Sequence, residues 1–184
     1  MIKETIKRIL SSIIIVPIVL FFIIKGSIYF ASFLFIFFLI TSYEWFKITK
    51  NKMHLFLGII FLLLTSYSAY LLRGTTHKEQ MILLFVLLVC VTTDIGGYAF
   101  GKIFKGPKLI KISPNKTYSG MIGGYFFSII FSNLYADVYD VFVPNTLELL
   151  ITALLISSVS QLGDLSISYF KRLSKIKNTG NILP

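Results

Sequence analysis

The sequence predicts an all-α polytopic membrane protein with about six transmembrane helices and both termini in the cytoplasm. Three observations predict it. First, 55% of the 184 residues are hydrophobic and only 14% charged, with a mean hydropathy of +0.81. A soluble domain carries about 25% charged residues, so this chain lacks the polar surface to coat a water-soluble globule. Second, the apolar residues fall into blocks close to the ~20 residues that cross a hydrocarbon core of ~30 Å. Third, the basic residues alternate between the gaps in a sided pattern. The same composition excludes disorder, because 18 Phe, 10 Tyr and long aliphatic runs have too much apolar surface to stay solvated. The net charge of +10 invites a nucleic-acid reading. No nucleic-acid partner is expected, however, since the charges sit between apolar blocks rather than on one domain face.

The blocks follow in order. Ile9–Ile24 comes after Lys3, Lys7 and Arg8, as a signal peptide would. No small-residue cleavage site follows it and more blocks do, so it reads as a retained signal anchor. Pro17 inside it predicts a kink, tolerated where neighbours satisfy the freed carbonyl. Ile28–Tyr43 is separated from it only by Lys25-Gly26-Ser27, which predicts a tight helical hairpin. Leu55–Leu72 and Met81–Phe100 form the third and fourth spans, Tyr118–Tyr135 the fifth and Leu147–Phe170 the sixth. At the start of the last, Asn145 followed by Glu148 resembles a capping pair. Cys90 is the single cysteine, so no internal disulfide exists. His54 and His77 stand alone near block ends, as interfacial or loop residues rather than zinc ligands.

Numbering the gaps alternately, one side collects every one of the 18 basic residues except Lys25, Arg73 and Lys78. The gap carrying Asp137 and Asp140 has none. By the positive-inside rule, the N-terminus, the Lys47–Lys52 and Lys102–Lys116 gaps and the C-terminus are cytoplasmic.

Two acidic residues, Asp94 and Asp164, lie inside apolar spans toward their cytoplasmic ends. An unpaired carboxylate at mid-membrane costs roughly 2.5–3.5 kcal/mol, so each needs a partner or a function. Either is a structural aspartate paired with a lysine or helix end, or part of a metal or proton site. Asp164, Ser168, Lys171 and Arg172 form one helical stripe of about 12 Å. Such a stripe suits a divalent metal and the phosphates it bridges, or else ends in a snorkelling Lys-Arg pair. The gap Gly101–Ser119 brings hydroxyls, backbone amides and five lysines, the groups that hold a triphosphate or phospholipid headgroup. It is equally a solvated charge run against anionic lipid. Gly97/Gly101 and Gly120/Gly124 have the four-residue spacing that lets membrane helices approach closely. No Walker loop and no HExxH motif is present.

Three blocks together carry a family resemblance: Thr93-Asp94-Ile95-Gly96-Gly97-Tyr98-Ala99-Phe100-Gly101, then Ser113-Pro114-Asn115-Lys116-Thr117-Tyr118-Ser119-Gly120, then Gln161-Leu162-Gly163-Asp164 running to Lys171-Arg172. In order and spacing they resemble the phosphatidate cytidylyltransferase (CDP-diacylglycerol synthase) family over roughly residues 85–184. The resemblance implies residues 1–80 as N-terminal membrane helices and residues 81–184 as the catalytic region. It implies a magnesium-dependent transfer of the cytidylyl group from CTP to phosphatidate, giving CDP-diacylglycerol and diphosphate in phospholipid synthesis. A second cation and a homodimer stay open. The site would lie on the cytoplasmic face of a multi-pass protein of the cell inner membrane, within the lipid bilayer.

Residue by residue, the resemblance implies Asp164 as metal ligand and Lys171 and Arg172 as catalytic phosphate contacts. Ser113, Lys116, Thr117 and Ser168 would bind substrate, with Asp94 as a supporting polar residue. Family members continue through a Lys-Asp stretch into Gly-His-Gly-Gly, whereas this sequence reads Lys177-Asn178-Thr179-Gly180 and ends at Pro184. The expectation is therefore a chain shortened before the family's C-terminal signature. An inactive homologue is one alternative, and a transport or scaffold protein whose aspartates line an ion path is another.

Overall fold

The computed structural model of the chain describes residues 2–49, 51–110, 113–139 and 145–173. Six helices are present among them: α1 (Ile2–Lys25), α2 (Ser27–Ile48), α3 (Lys52–Arg73), α4 (His77–Phe104), α5 (Tyr118–Tyr139) and α6 (Thr146–Leu173). Two short strands, β1 (Lys108–Ile110) and β2 (Ser113–Thr117), precede α5. Among the described residues, α2 to α6 are each long and apolar enough to cross a membrane. The apolar stretch of α1 is shorter, Ile13–Lys25. The chain is an all-α polytopic membrane protein in class, and its surface is inverted relative to a soluble one. Phe35, Phe61, Leu155 and Val159 are each more than 60% exposed, while Thr93, Ser128, Ser132 and Ser157 are buried. In lipid that arrangement satisfies both the outward apolar faces and the inward polar ones. The strands are the one addition to the helical expectation.

The chain divides into two compact units, the first built on α1 to α3 and the second running from Met81 to Leu173. In the first, a single residue separates α1 from α2. Gly26 has φ +62° and ψ −155°, a conformation costly for any residue with a Cβ. A Cβ there would also land on the Arg73 guanidinium. Arg73 is buried at the end of α3. Its Nε donates to Ile23 O at 3.1 Å, Nη2 to Ile24 O at 3.4 Å and Nη1 to Gly74 O at 3.0 Å. The last carbonyls of α1, which have no partner in their own helix, are thus capped by a cation. Phe22 of α1 stacks on Phe33 of α2 at 5.1 Å. Trp45 of α2 packs against Gly58 of α3, and its Nε1 donates to His54 O at 3.3 Å. Asn51 caps α3 by accepting from Met53 N at 2.9 Å.

The entry to α4 is a reciprocal capping box. Glu79 Oε2 accepts from Thr76 N at 2.8 Å, and Thr76 Oγ1 accepts from Glu79 N at 3.3 Å. In the second unit, Phe85, Val89 and Leu149 form a core against which Tyr135, Ala136 and Ile156 pack. Asn145 caps α6, its Oδ1 accepting from Leu147 N at 3.4 Å, as its place before the apolar block predicts. The strands pair antiparallel, Lys108 opposite Thr117 and Ile110 opposite Ser113, with a register shift between. Tyr118 N donates to Pro107 O at 3.1 Å, which closes the base of the hairpin where α5 begins.

Candidate active site

Glycines bring α4 and α5 into near-contact below the hairpin. A Cβ on Gly120 would fall 2.7 Å from Gly97 O, and one on Gly123 2.7 Å from Gly96 O. Side chains larger than hydrogen would push the helices apart, which is what the four-residue glycine spacing predicts. Above this crossing lies a cavity of about 280 Å³. From α4, Thr93, Asp94, Gly97 and Tyr98 line it, residues at i, i+1, i+4 and i+5 that share one helix face. Lys116 and Thr117 come from β2, Leu109 from β1, Gly120 and Met121 from α5, and Gln161 and Asp164 from α6.

The hairpin is held over the cavity by two contacts. Thr117 Oγ1 accepts from Gly120 N at 3.1 Å, capping the start of α5 and fixing the joint between strand and helix. Next to it, Lys116 reaches across to α6, where Nζ donates to Asp164 Oδ2 at 2.8 Å. The Lys116 and Asp164 side chains are 28% and 55% exposed. A pair this accessible contributes at most about 1 kcal/mol to stability, so its significance is placement: a cation and a carboxylate that incoming ligands can separate.

Beneath the cavity runs a chain of buried hydroxyls. Thr93 Oγ1 donates to Val89 O at 2.7 Å and is hydrogen-bonded with Ser157 Oγ at 2.9 Å. Gln161 Nε2 in turn donates to Ser157 Oγ at 3.4 Å. The carboxamide is thereby tethered through its nitrogen. One turn above it on α6 stands Asp164.

Two carboxylates, an ammonium, a carboxamide, two hydroxyls and a phenol therefore face one small space. Among the described residues, no three His, Cys, Asp or Glu side chains gather to hold a metal alone. Magnesium does not require that, since it is commonly bound through one or two carboxylates with phosphate oxygens and waters completing the shell. Asp94 and Asp164 lining the same cavity fit that pattern.

Of the residues singled out in the sequence, the cavity brings together Asp94, Lys116, Thr117 and Asp164. Ser113, at the far end of β2, Ser168, one turn beyond Asp164, and Arg172, further along α6, are not among its lining residues. The Lys171 side chain and Asn178 lie outside the described residues. Sequence reasoning missed Thr93, Tyr98 and Gln161 as lining residues. The signal was present: Thr93 and Tyr98 share the Asp94 face of α4, and Gln161 is three residues before Asp164.

Comparison with known proteins places this geometry in context. Residues 54–184, which include every lining residue, match the cytidylyltransferase family. A phosphatidate cytidylyltransferase of Brucella suis biovar 1 is 38% identical over 128 residues, 69% of this chain and 47% of that protein. One from Rickettsia bellii is 32% identical over 186 residues, 96% of this chain and 79% of the relative. One from Rickettsia typhi is 29% identical over 147 residues, 77% and 64% respectively. The chain thus spans about half the length of the Brucella relative and more of the rickettsial ones. No solved structure gives a significant match. The chain belongs to the cytidylyltransferase family.

Proposed function

We propose that this protein transfers the cytidylyl group of CTP to phosphatidate at the cavity between α4, the hairpin, α5 and α6. The observation that carries this reading is the Lys116–Asp164 pair inside that cavity. It sets a cation suited to phosphate beside a carboxylate suited to a metal, within the segment that matches the family. An oxygen of the lipid phosphate forms a bond to the α-phosphorus of CTP, the bond to the bridging oxygen breaks, and diphosphate leaves with the electron pair. Such chemistry is mostly positioning and charge neutralisation. Magnesium held by Asp164 and Asp94 would supply charge neutralisation on the phosphates. Lys116, drawn from Asp164, pairs with phosphate oxygens, and Gln161 offers its carboxamide oxygen to the nucleotide. Thr117 holds the hairpin to α5. Lys171, Arg172, Ser168 and Ser113 are proposed as further phosphate contacts from α6 and β2.

The basic-residue pattern supports a cytoplasmic position for this face, where CTP is, and the bacterial relatives favour the cell inner membrane. The test is purified protein in mixed micelles with magnesium, CTP and phosphatidate. Wild type is expected to form CDP-diacylglycerol, and Asp164→Asn to lose at least about a hundredfold in rate. Undetectable product from folded wild-type protein overturns the proposal.

A further inference from the structure

Tyr98, like Asp94 and Asp164, borders the cavity and is exposed, and of the three it alone carries an aromatic ring. It is 68% exposed, on a helix long and apolar enough to span the membrane. One turn back on the same face of α4, Ile95 is 53% exposed, so the ring has an apolar neighbour at the surface. One turn along α4, Lys102 Nζ donates to Tyr98 Oη at 3.4 Å and lies 5.5 Å from the ring centroid. The ammonium keeps two further donors, and the phenol, accepting from Lys102, keeps its own proton to donate.

Among the described residues, two other lysines stand over an aromatic ring four residues before them. Lys47 sits 4.3 Å from the Tyr43 ring and Lys25 5.9 Å from that of Phe21. Those pairs have the form of ordinary interfacial anchors, an amphipathic ring with a snorkelling cation. Neither aromatic lines the cavity, and that is the difference. Charge gives the difference a use. The lining carries two carboxylates and one lysine, and that lysine is already paired with Asp164. An anion that approaches the cavity ahead of a metal meets net negative charge unless a cation stands at its rim.

We infer that Tyr98 and Lys102 form a lateral headgroup site that admits a glycerolipid with a phosphomonoester headgroup from the bilayer into the cavity. Lys102 and the Tyr98 hydroxyl donate to the phosphate, while the acyl chains lie along the exposed apolar surface of α4 that carries Ile95. A phosphomonoester carries up to two negative charges and three accepting oxygens, which matches two adjacent donors. A zwitterionic choline headgroup does not. The inference rests on the lipid-phosphate acceptor proposed above.

The experiment reconstitutes the protein in phosphatidylcholine nanodiscs containing a minor fraction of phosphatidate and measures retained phosphatidate by native mass spectrometry. Steady-state kinetics follow on the same variants. Lys102→Gln is expected to weaken phosphatidate retention and raise its KM about tenfold, as loss of a charge-assisted hydrogen bond does, with the KM for CTP unmoved. Lys102→Arg restores both, and Tyr98→Phe, which keeps the ring, gives a smaller loss. Lys47→Gln, which breaks a pair bordering no part of the cavity, leaves retention at the wild-type level. The inference is overturned if Lys47→Gln weakens retention as much as Lys102→Gln, if Lys102→Gln moves the KM for CTP instead, or if wild type retains phosphatidylcholine as well as phosphatidate. If wild type forms no CDP-diacylglycerol while Lys102→Gln still loses phosphatidate, the proposed reaction fails and the headgroup site stands.

Discussion

In the α1–α3 unit the conspicuous buried polar side chain is Arg73, at a helix end, whereas in the α4–α6 unit Thr93, Ser128, Ser132 and Ser157 are buried in helix interiors. The first arrangement spends a cation on the carbonyls of Ile23 and Ile24, groups left over where α1 stops. The second uses hydroxyls that bond back to their own helices, as Ser132 Oγ does to Ser128 O at 2.6 Å. Self-satisfied hydroxyls are small, so they sit at close helix contacts at little cost. The glycines divide similarly, with Gly58 inside α3 against Trp45 as the exception. Gly26 and Gly74 have φ +62° and +50° at turns, while Gly96, Gly97, Gly120 and Gly123 lie in helix interiors where α4 meets α5. Among the described residues, the buried polar atoms without a hydrogen-bond partner, Ser42 Oγ and Glu44 Oε1, are both on α2. What differs is purpose: Arg73 terminates a helix in one unit, and in the other Thr93 and Ser157 lead to a cavity.

The largest expected effect comes from the glycine crossing. Gly123→Leu would drive a side chain into Phe100 and against Gly96 O. It is expected to cost about 3 kcal/mol in detergent unfolding and to abolish cytidylyl transfer, because α4 and α5 both line the cavity. Gly163, on α6, has nothing within 4 Å of a Cβ built on it. Gly163→Ala should leave stability unchanged or raise it by up to about 1 kcal/mol. Equal losses in the two variants would show that glycine content, not the crossing, is what the unit needs.

A smaller effect is expected from Arg73→Met, which removes three donors from carbonyls of Ile23, Ile24 and Gly74. Stability should fall by about 2 kcal/mol, read as a lowered midpoint of thermal unfolding. The KM values for CTP and phosphatidate of the folded fraction should not move. A changed KM would break the separation between helix-end and cavity roles. Arg73 is also one of the three basic residues that depart from the sided charge pattern, and its burial explains why. It is part of the packing rather than of the membrane surface.

The helices were legible in the sequence because apolar block length is a physical requirement of the bilayer, and Asn145 ahead of the last block announced its cap. The hairpin was not. Lys108 to Thr117 alternates apolar and polar residues only over Ile110–Ser113 and carries Pro114, so it reads as loop. The capping box in Thr76-His77-Lys78-Glu79 was visible in the letters alone. Within the site, Asp94 and Asp164 stood out because charge in an apolar block is costly. Their surroundings did not. Helical spacing lists Ser168 and Arg172 as companions of Asp164, but spacing cannot say which side of α6 faces inward. The cation found beside Asp164 is Lys116, 48 residues away. Long-range partners of this kind are set by packing, which glycine spacing hints at without naming the atoms it brings together.

The smallest stability effect and the finest test is Thr93→Val. The substitution keeps shape, removes one hydroxyl, and leaves Ser157 Oγ without its 2.9 Å partner. Interhelical hydrogen bonds in membranes average about 0.6 kcal/mol, so unfolding should hardly register the change. Activity should register it more. Ser157 is the acceptor that tethers the Gln161 carboxamide, and Gln161 shares its turn of α6 with Asp164. A carboxamide free to rotate no longer presents its oxygen to the cavity, and small misplacements near reacting groups can cost up to about a hundredfold. A fall of about tenfold in kcat/KM for CTP, with less than about 1 kcal/mol of stability lost, would mark the hydroxyl chain as positioning the site. Proportionate losses in both would make it helix packing alone, and the contrast between the two units would then reduce to where each buries its polar groups.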